Sequence, residues 1–198
     1  MDRVNQIIQI INGYQEQDSY KSYIVSPLLK ELLLLNEDKN DCEIFLFAGD
    51  NYYRMGRPFL AVKYYEKALD VIIANHKNIG DLDGLLGRIL RLRNYYVDDD
   101  CADVINKISE SNLLSQDKID EIKSNAFRHR RSLKHDPIEM SEEYLAVIDE
   151  VEEKVDKNRT HFGMGSCYET WNLKSQFLME KGIYWKSPAV MNPRVMFD

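Results

Sequence analysis

The chain has 198 residues, of which 44% are apolar and 30% charged, with a formal net charge of −7. This balance excludes a disordered chain and argues against general nucleic-acid binding, while leaving room for a local basic site. Nine glycines and five prolines are too few for a turn-rich β fold, so helices are expected throughout.

Cys42, Cys101 and Cys167 are odd in number and far apart, which is neither a disulfide framework nor a zinc-ligand spacing. No metal and no cofactor is expected. The first residues are too polar for a signal peptide, and no apolar run approaches membrane-spanning length, so a cytoplasmic location and no membrane partner are expected.

Val4, Ile7, Ile8 and Ile11 recur at helical spacing and predict a helix ending near Gly13. Pro27 is placed to open a second helix through Leu28, Leu29, Leu32, Leu33 and Leu35, which ends at Asn36. From Phe45 to Ile73 the chain reads FLFAGDNYYRMGRPFLAVKYYEKALDVII. Phe45, Ala48 and Tyr52 share one helical face, and Gly49 leaves room for a second helix to approach. Gly56 followed by Pro58 marks a helix end and a helix start. Ala61, Tyr65, Ala68, Leu69, Ile72 and Ile73 then form the return face.

Asp81 is expected to cap a helix carrying Leu82, Leu85, Leu86, Ile89, Leu90 and Leu92. The aspartates of the DDDC run suit the start of another through Ala102, Val104, Ile105 and Ile108. Ser115 is expected to cap a helix holding Ile119, Ile122, Ala126 and Leu133. Asp136-Pro137-Ile138-Glu139 reads as a capping box opening a helix whose buried stripe is Met140, Tyr144, Val147, Ile148, Val151 and Val155. Residues 3–157 thus read as eight helices in four antiparallel pairs taken in sequence order.

Within the Phe45–Ile73 stretch, Ala48-Gly49, Tyr52, Gly56, Ala61, Tyr65 and Ala68 stand where a tetratricopeptide repeat places its small pair, aromatic, turn glycine, small residue, aromatic and small residue. The segment resembles one such repeat, at about 42–75. The resemblance implies an all-α fold: a right-handed superhelical stack of antiparallel helix pairs over 1–157, closed by an aromatic-rich helical capping or docking segment over 158–198. It also implies an interaction scaffold, not an enzyme, with a protein or peptide partner in its groove. The first helix would line that groove with Leu46, Asp50 and Tyr53, and Arg54 at the rim. Repeat domains that clamp the C-terminal carboxylate of chaperones place Lys and Asn on this side. Leu46 and Asp50 depart from that pattern, so an apolar or basic peptide, or the protein's own tail, is expected instead.

The last forty residues hold both tryptophans and four of the seven methionines. Ser166 to Glu169 reads as a second capping box, opening a helix through Trp171, Leu173, Phe177 and Leu178 that stops at Gly182. Ser187-Pro188 and Asn192-Pro193 each read as a single helical turn. Trp171, Phe177, Leu178, Tyr184, Trp185, Met191, Met196 and Phe197 are expected to leave water by packing on helical surface, the chain's own or a second copy's, which makes homodimerisation through the tail a structural alternative. A second alternative is an enzyme or small-ligand pocket around His161, Cys167, Tyr168 and Trp171. Cys167 would stand in the first turn of its helix, where the dipole favours a thiolate. Against that, a lone cysteine is most often a small buried hydrophobe, and His161 alone is too few ligands for a metal. Gly163 and Gly165 read as a hinge rather than an anion loop, since no Lys-Ser/Thr follows. Arg128, Arg130, Arg131 and Lys134 form the basic cluster, expected at a helix C-terminus or paired with acids of the next helix, and nucleic acid is not expected there.

Overall fold

The computed structural model describes residues 2–16, 21–75, 81–97, 99–128 and 133–197. Among them there is no strand. The helices are α1 (Arg3–Glu16), α2 (Ser22–Leu34), α3 (Cys42–Arg54), α4 (Pro58–Asn75), α5 (Leu82–Leu92), α6 (Ala102–Ser111), α7 (Gln116–Phe127), α8 (Glu142–Asn158), α9 (Ser166–Glu180) and α10 (Pro188–Met191). A π-helical turn, Arg93–Val97, follows α5, and a 3-10 turn, Pro137–Met140, precedes α8. The chain divides into two compact units, Met1–Leu32 with Leu133–Asp198, and Leu33–Ser132. The segment after 157 belongs to the first unit, together with α8 and α1.

In the unit Leu33–Ser132, α3 and α4 form the hairpin expected from the sequence. Asp41 caps α3, its carboxylate accepting from the Glu43 N–H at 3.0 Å. Phe45, Ala48, Tyr52, Ala61, Tyr65, Ala68, Leu69 and Ile72 are all buried. At Gly49 the two helices approach closely, since a Cβ there would stand 2.6 Å from the Tyr65 ring. Tyr64 stacks on Tyr52 with ring centroids 5.3 Å apart and fills the space beside these small residues.

The pairing after α4 differs from sequence order. α5 packs most closely on α7, and α6 lies between them in the chain as an insertion. Gly87 faces Ile122 across that contact, its Cβ position 3.6 Å from the Ile122 methyl, so α5 and α7 repeat in looser form the Gly49–Tyr65 approach. The expected pair of α5 with the helix after DDDC is therefore corrected. The cause is local: Arg93 holds the π-helical turn and the start of α6 through Glu66 (3.2 Å), Asp103 (2.9 Å) and Asp99, which folds the insertion back onto α4. The aspartates do serve the start of α6, Asp99 accepting from the Cys101 N–H and Asp100 from the Ala102 N–H, both at 3.0 Å. Asp98 lies outside the described residues. α7 stops at Phe127, so Leu133 is not part of it.

In the other unit, α2 begins five residues before Pro27, which lies inside the helix rather than at its start. The Lys21 carbonyl accepts from both Ile24 and Val25, so the helix is nucleated upstream, and proline removes only one intrahelical bond. The Asp136 box likewise opens only the 3-10 turn. Its Glu139 carboxylate is drawn to Trp185 and His135 instead of back to the cap, and the chain is capped afresh at Ser141, whose hydroxyl accepts from the Tyr144 N–H. Met140 consequently falls outside α8 and is exposed, whereas Tyr144, Ile148, Val151 and Val155 are buried as expected.

The tail packs on α8 in cis. Leu178, Ile183 and Trp185 complete one apolar cluster with the α8 stripe, rimmed by Trp171, Leu173 and Phe177. Phe197, the last described residue, meets Trp171 edge-on at 5.1 Å. Two of the eight residues expected to be sheltered are not: Tyr184 is 78% and Met196 89% exposed. Ser187-Pro188 does open a helical turn, but Asn192-Pro193 forms a β-type turn closed by Val195 N–H to the Asn192 carbonyl. Asn192 is instead spent on docking, its amide bonding both the N–H and the carbonyl of Lys134 at 2.7 and 2.8 Å.

Candidate interaction face

Helical spacing puts Leu46, Asp50, Tyr53 and Arg54 on one side of α3, and the last three are exposed while Leu46 is half-buried. The Asp50 carboxylate is already engaged. It accepts from the Tyr65 hydroxyl at 2.5 Å and from Arg88 Nη1 at 2.8 Å, while Arg88 Nη2 reaches the α5 cap Asp81 at 3.2 Å. Burial pushes the Tyr65 phenol well above its ordinary value, and the neighbouring Asp50 carboxylate adds to this. The Arg88 guanidinium lies 5.7 Å above the Tyr65 ring, and although burial opposes its charge, Tyr65 and Asp50 outweigh that and hold it more firmly protonated. The acid expected to greet a basic ligand is thus part of an internal staple joining α3, α4 and α5.

Arg88 stands in α5 where Asp50 stands in α3, since each directly follows the glycine at the close helix approach, Gly87 and Gly49. Arg88 and Arg91, one turn on, are face residues that sequence reading missed, and the recurrence of glycine followed by a charged residue was the available signal. Beyond the staple, Tyr53 lies near Tyr96 of the π-helical turn. Burial pushes the Tyr96 phenol up to about 12, with Tyr53 and Tyr95 adding to it. Tyr95 and Tyr96 meet edge-to-face at 4.7 Å. Asp50 beside Arg88 and Tyr53 beside Tyr96 show that α3 and α5 run in the same sense.

The residues around His161 make a different arrangement. Glu169 holds the loop before α9, accepting from the Thr160 N–H (3.1 Å), the Thr160 hydroxyl (2.7 Å) and the His161 N–H (2.7 Å), and these bonds keep its carboxyl below the usual range. This is why Ser166 to Glu169 does not close as a capping box: Gly165 takes the cap position in the left-handed region. His161 is exposed and its Nε2 sits 2.9 Å from the Met164 carbonyl oxygen. Cys167 lies in the first turn of α9 as expected, half-buried, and Tyr168 meets Trp171 edge-on at 5.5 Å. The imidazole is oriented by its own loop.

Of the basic cluster, Arg130 and Arg131 lie outside the described residues. The α8 acids expected to meet that cluster are matched from elsewhere: Asp149 by Lys30 and Ser26, Asp156 by Lys21 and Tyr23, and Glu150 by Lys181. Among the described residues no cluster of three His, Cys, Asp or Glu side chains could hold a metal ion, and no helix is long and apolar enough to cross a membrane.

No protein-family model matches the chain, and no solved structure matches it. Over 139 residues it is 30% identical to tetratricopeptide repeat protein 8 of Caenorhabditis elegans, an alignment covering 64% of this chain and 26% of that relative. The chain therefore spans about a quarter of the relative's length. The similarity and the all-helical architecture fit a tetratricopeptide-like repeat, and in general terms an interaction scaffold.

Proposed function

We propose that the chain is a non-catalytic scaffold whose helix pairs stack as a tetratricopeptide-like solenoid and hold a protein or peptide on the face built from α3 and α5. The observation that carries this reading is the alignment of Asp50 with Arg88 across two helices running in the same sense, each one residue beyond the glycine that packs its helix against a partner. Buried small and aromatic residues fix the backbones, and the opposite edge carries polar and aromatic side chains, a division of labour that suits recognition rather than chemistry. A cis-packed tail suits a capping role and leaves no need for a second subunit to shelter it. The test is quantitative affinity capture from the source cell with the intact chain, Tyr53→Ala, and a surface control, Lys123→Ala on α7. Partners recovered by the intact chain and the control but lost with Tyr53→Ala support the reading. Identical recovery with all three would overturn it.

A further inference from the structure

Past the staple, the α3/α5 face changes from paired charge to aromatic rings. Asp50 and Asp81 share the single guanidinium of Arg88, which leaves that pair net negative. The exposed Arg91, one turn further along α5, brings the opposite sign. Charge therefore selects neither an acidic nor a basic segment here, and an uncharged one is the best match. Beyond the charges stands a cluster of tyrosines. Tyr53, 53% exposed, lies at the end of α3 beside half-buried Tyr96, and Tyr96 meets half-buried Tyr95 edge-to-face at 4.7 Å. Tyr95 and Tyr96 are delivered there by the π-helical turn, a local irregularity often found at functional sites. Among the described residues, neither the Tyr53 nor the Tyr95 hydroxyl has a hydrogen-bond partner. Exposed ring surface and two open hydroxyls are thus what this end of the face offers a ligand.

We propose that the Tyr53–Tyr95–Tyr96 cluster binds an uncharged, proline-rich segment of a partner protein in its extended polyproline conformation. The proposal rests on the scaffold reading above and names its partner's chemistry. A polyproline segment makes no internal hydrogen bonds, and its prolines carry carbonyls but no N–H. Such a chain asks for donors and flat apolar surface, which is what tyrosine hydroxyls and rings supply together. Proline rings lie on the tyrosine rings, and the Tyr53 and Tyr95 hydroxyls donate to the segment's carbonyls. Because the segment is already extended before it binds, little ordering entropy opposes a small contact surface. A helical segment fits less well, since its carbonyls are spent within the helix and cannot answer the hydroxyls.

The test uses the full chain and fluorescence anisotropy with a labelled peptide of about ten prolines, long enough for several polyproline turns. A labelled Gly-Ser peptide of equal length provides the comparison. The proline peptide is expected to bind and the Gly-Ser peptide not, with little change as salt rises, because no charge pair is there to be screened. Tyr53→Ala should weaken binding about 10-fold by removing ring and hydroxyl together. Tyr53→Phe and Tyr95→Phe, which remove only a hydroxyl, should each weaken it about 3-fold, and the surface control Lys123→Ala should leave it unchanged. Circular dichroism of each variant checks that the fold persists. Equal binding of the two peptides, binding indifferent to Tyr53→Ala, or binding abolished by salt overturns the proline preference but leaves the scaffold reading standing. Failure of the proline peptide to bind overturns this proposal too, and the capture experiment with Tyr53→Ala then decides the scaffold reading by itself.

Discussion

Gly49 and Tyr65 touch where α3 crosses α4: the ring occupies the position a side chain on residue 49 would need, with a Cβ only 2.6 Å from two ring carbons. Tyr65 cannot withdraw, because its hydroxyl is held by Asp50 and its ring is covered by Arg88. Gly49→Ala should therefore destabilise the fold by about 1–3 kcal/mol through overpacking. Gly87→Ala meets Ile122 at an ordinary 3.6 Å, and the helix gains up to about 1 kcal/mol from replacing glycine. Urea unfolding monitored by circular dichroism should show opposite signs at the two glycines. Equal and small effects would contradict the close approach at Gly49.

The α3–α4 hairpin was legible because each structural demand there has a residue type to itself: small residues at the crossing, aromatics beside them, glycine then proline at the turn. The α5–α7 partnership was not, since periodicity reports which face of a helix is buried but not which later helix covers it. A 10-residue α6 intervenes, and the residue that folds it away is a single arginine whose three carboxylate partners are scattered over Glu66, Asp99 and Asp103. Both expected capping boxes failed for one physical reason. A carboxylate three residues into a helix serves whichever donors reach it, and the tail's Trp185 and the loop's Thr160 reached Glu139 and Glu169 first. On the face itself, Asp50 was found but not its pairing with Arg88, a partner 38 residues away.

The three cysteines should separate by burial. Cys101 is fully buried, and burial pushes its thiol up to about 12 despite nearby Arg93; Cys42 is also buried. Only Cys167 is partly open. A brief iodoacetamide pulse followed by peptide mass spectrometry should modify Cys167 alone in the folded chain, at no more than the rate of a free cysteine peptide. All three should react in denaturant. Labelling of Cys167 faster than the free peptide, slowed by His161→Ala, would revive a catalytic role for that loop.

Acid should loosen the docked tail. Burial by itself would raise Glu139, but its bonds to His135 and Trp185 and the nearby Lys174 ammonium outweigh this and hold it below the usual range. Asp156 behaves alike, with Tyr23 and Lys21 outweighing its burial. A carboxyl with a depressed folded value contributes stability that is fully present above its unfolded value, about 4, and is lost as pH falls through the folded one. Thermal stability should therefore fall below about pH 4, and Glu139→Gln should flatten that fall while lowering stability near neutrality. A pH dependence unchanged in Glu139→Gln would show that the carboxylate is not held as described.

Trp185 makes three different contacts at once, with α8, with the 3-10 turn before it and with α9. Its ring is buried in the α8 cluster, its indole N–H donates to Glu139 at 2.7 Å, and the Lys174 ammonium lies 4.9 Å from the ring centroid. Trp185→Phe keeps much of the apolar area but leaves Glu139 short of a donor, which should cost about 1–3 kcal/mol. Trp185→Ala adds a cavity and should cost about 3–5 kcal/mol. Ending the chain after Asn158 removes Leu178, Ile183 and Trp185 together, so Tyr144, Ile148, Val151 and Val155 would face water. Binding of a hydrophobic dye and a lower melting temperature should rise in severity from Phe to Ala to truncation, with aggregation in the last. A truncated chain that stays monomeric, binds no dye and melts with the intact protein would mean that α8 does not depend on the tail for cover, and the cis packing of Trp185 would carry no energetic weight.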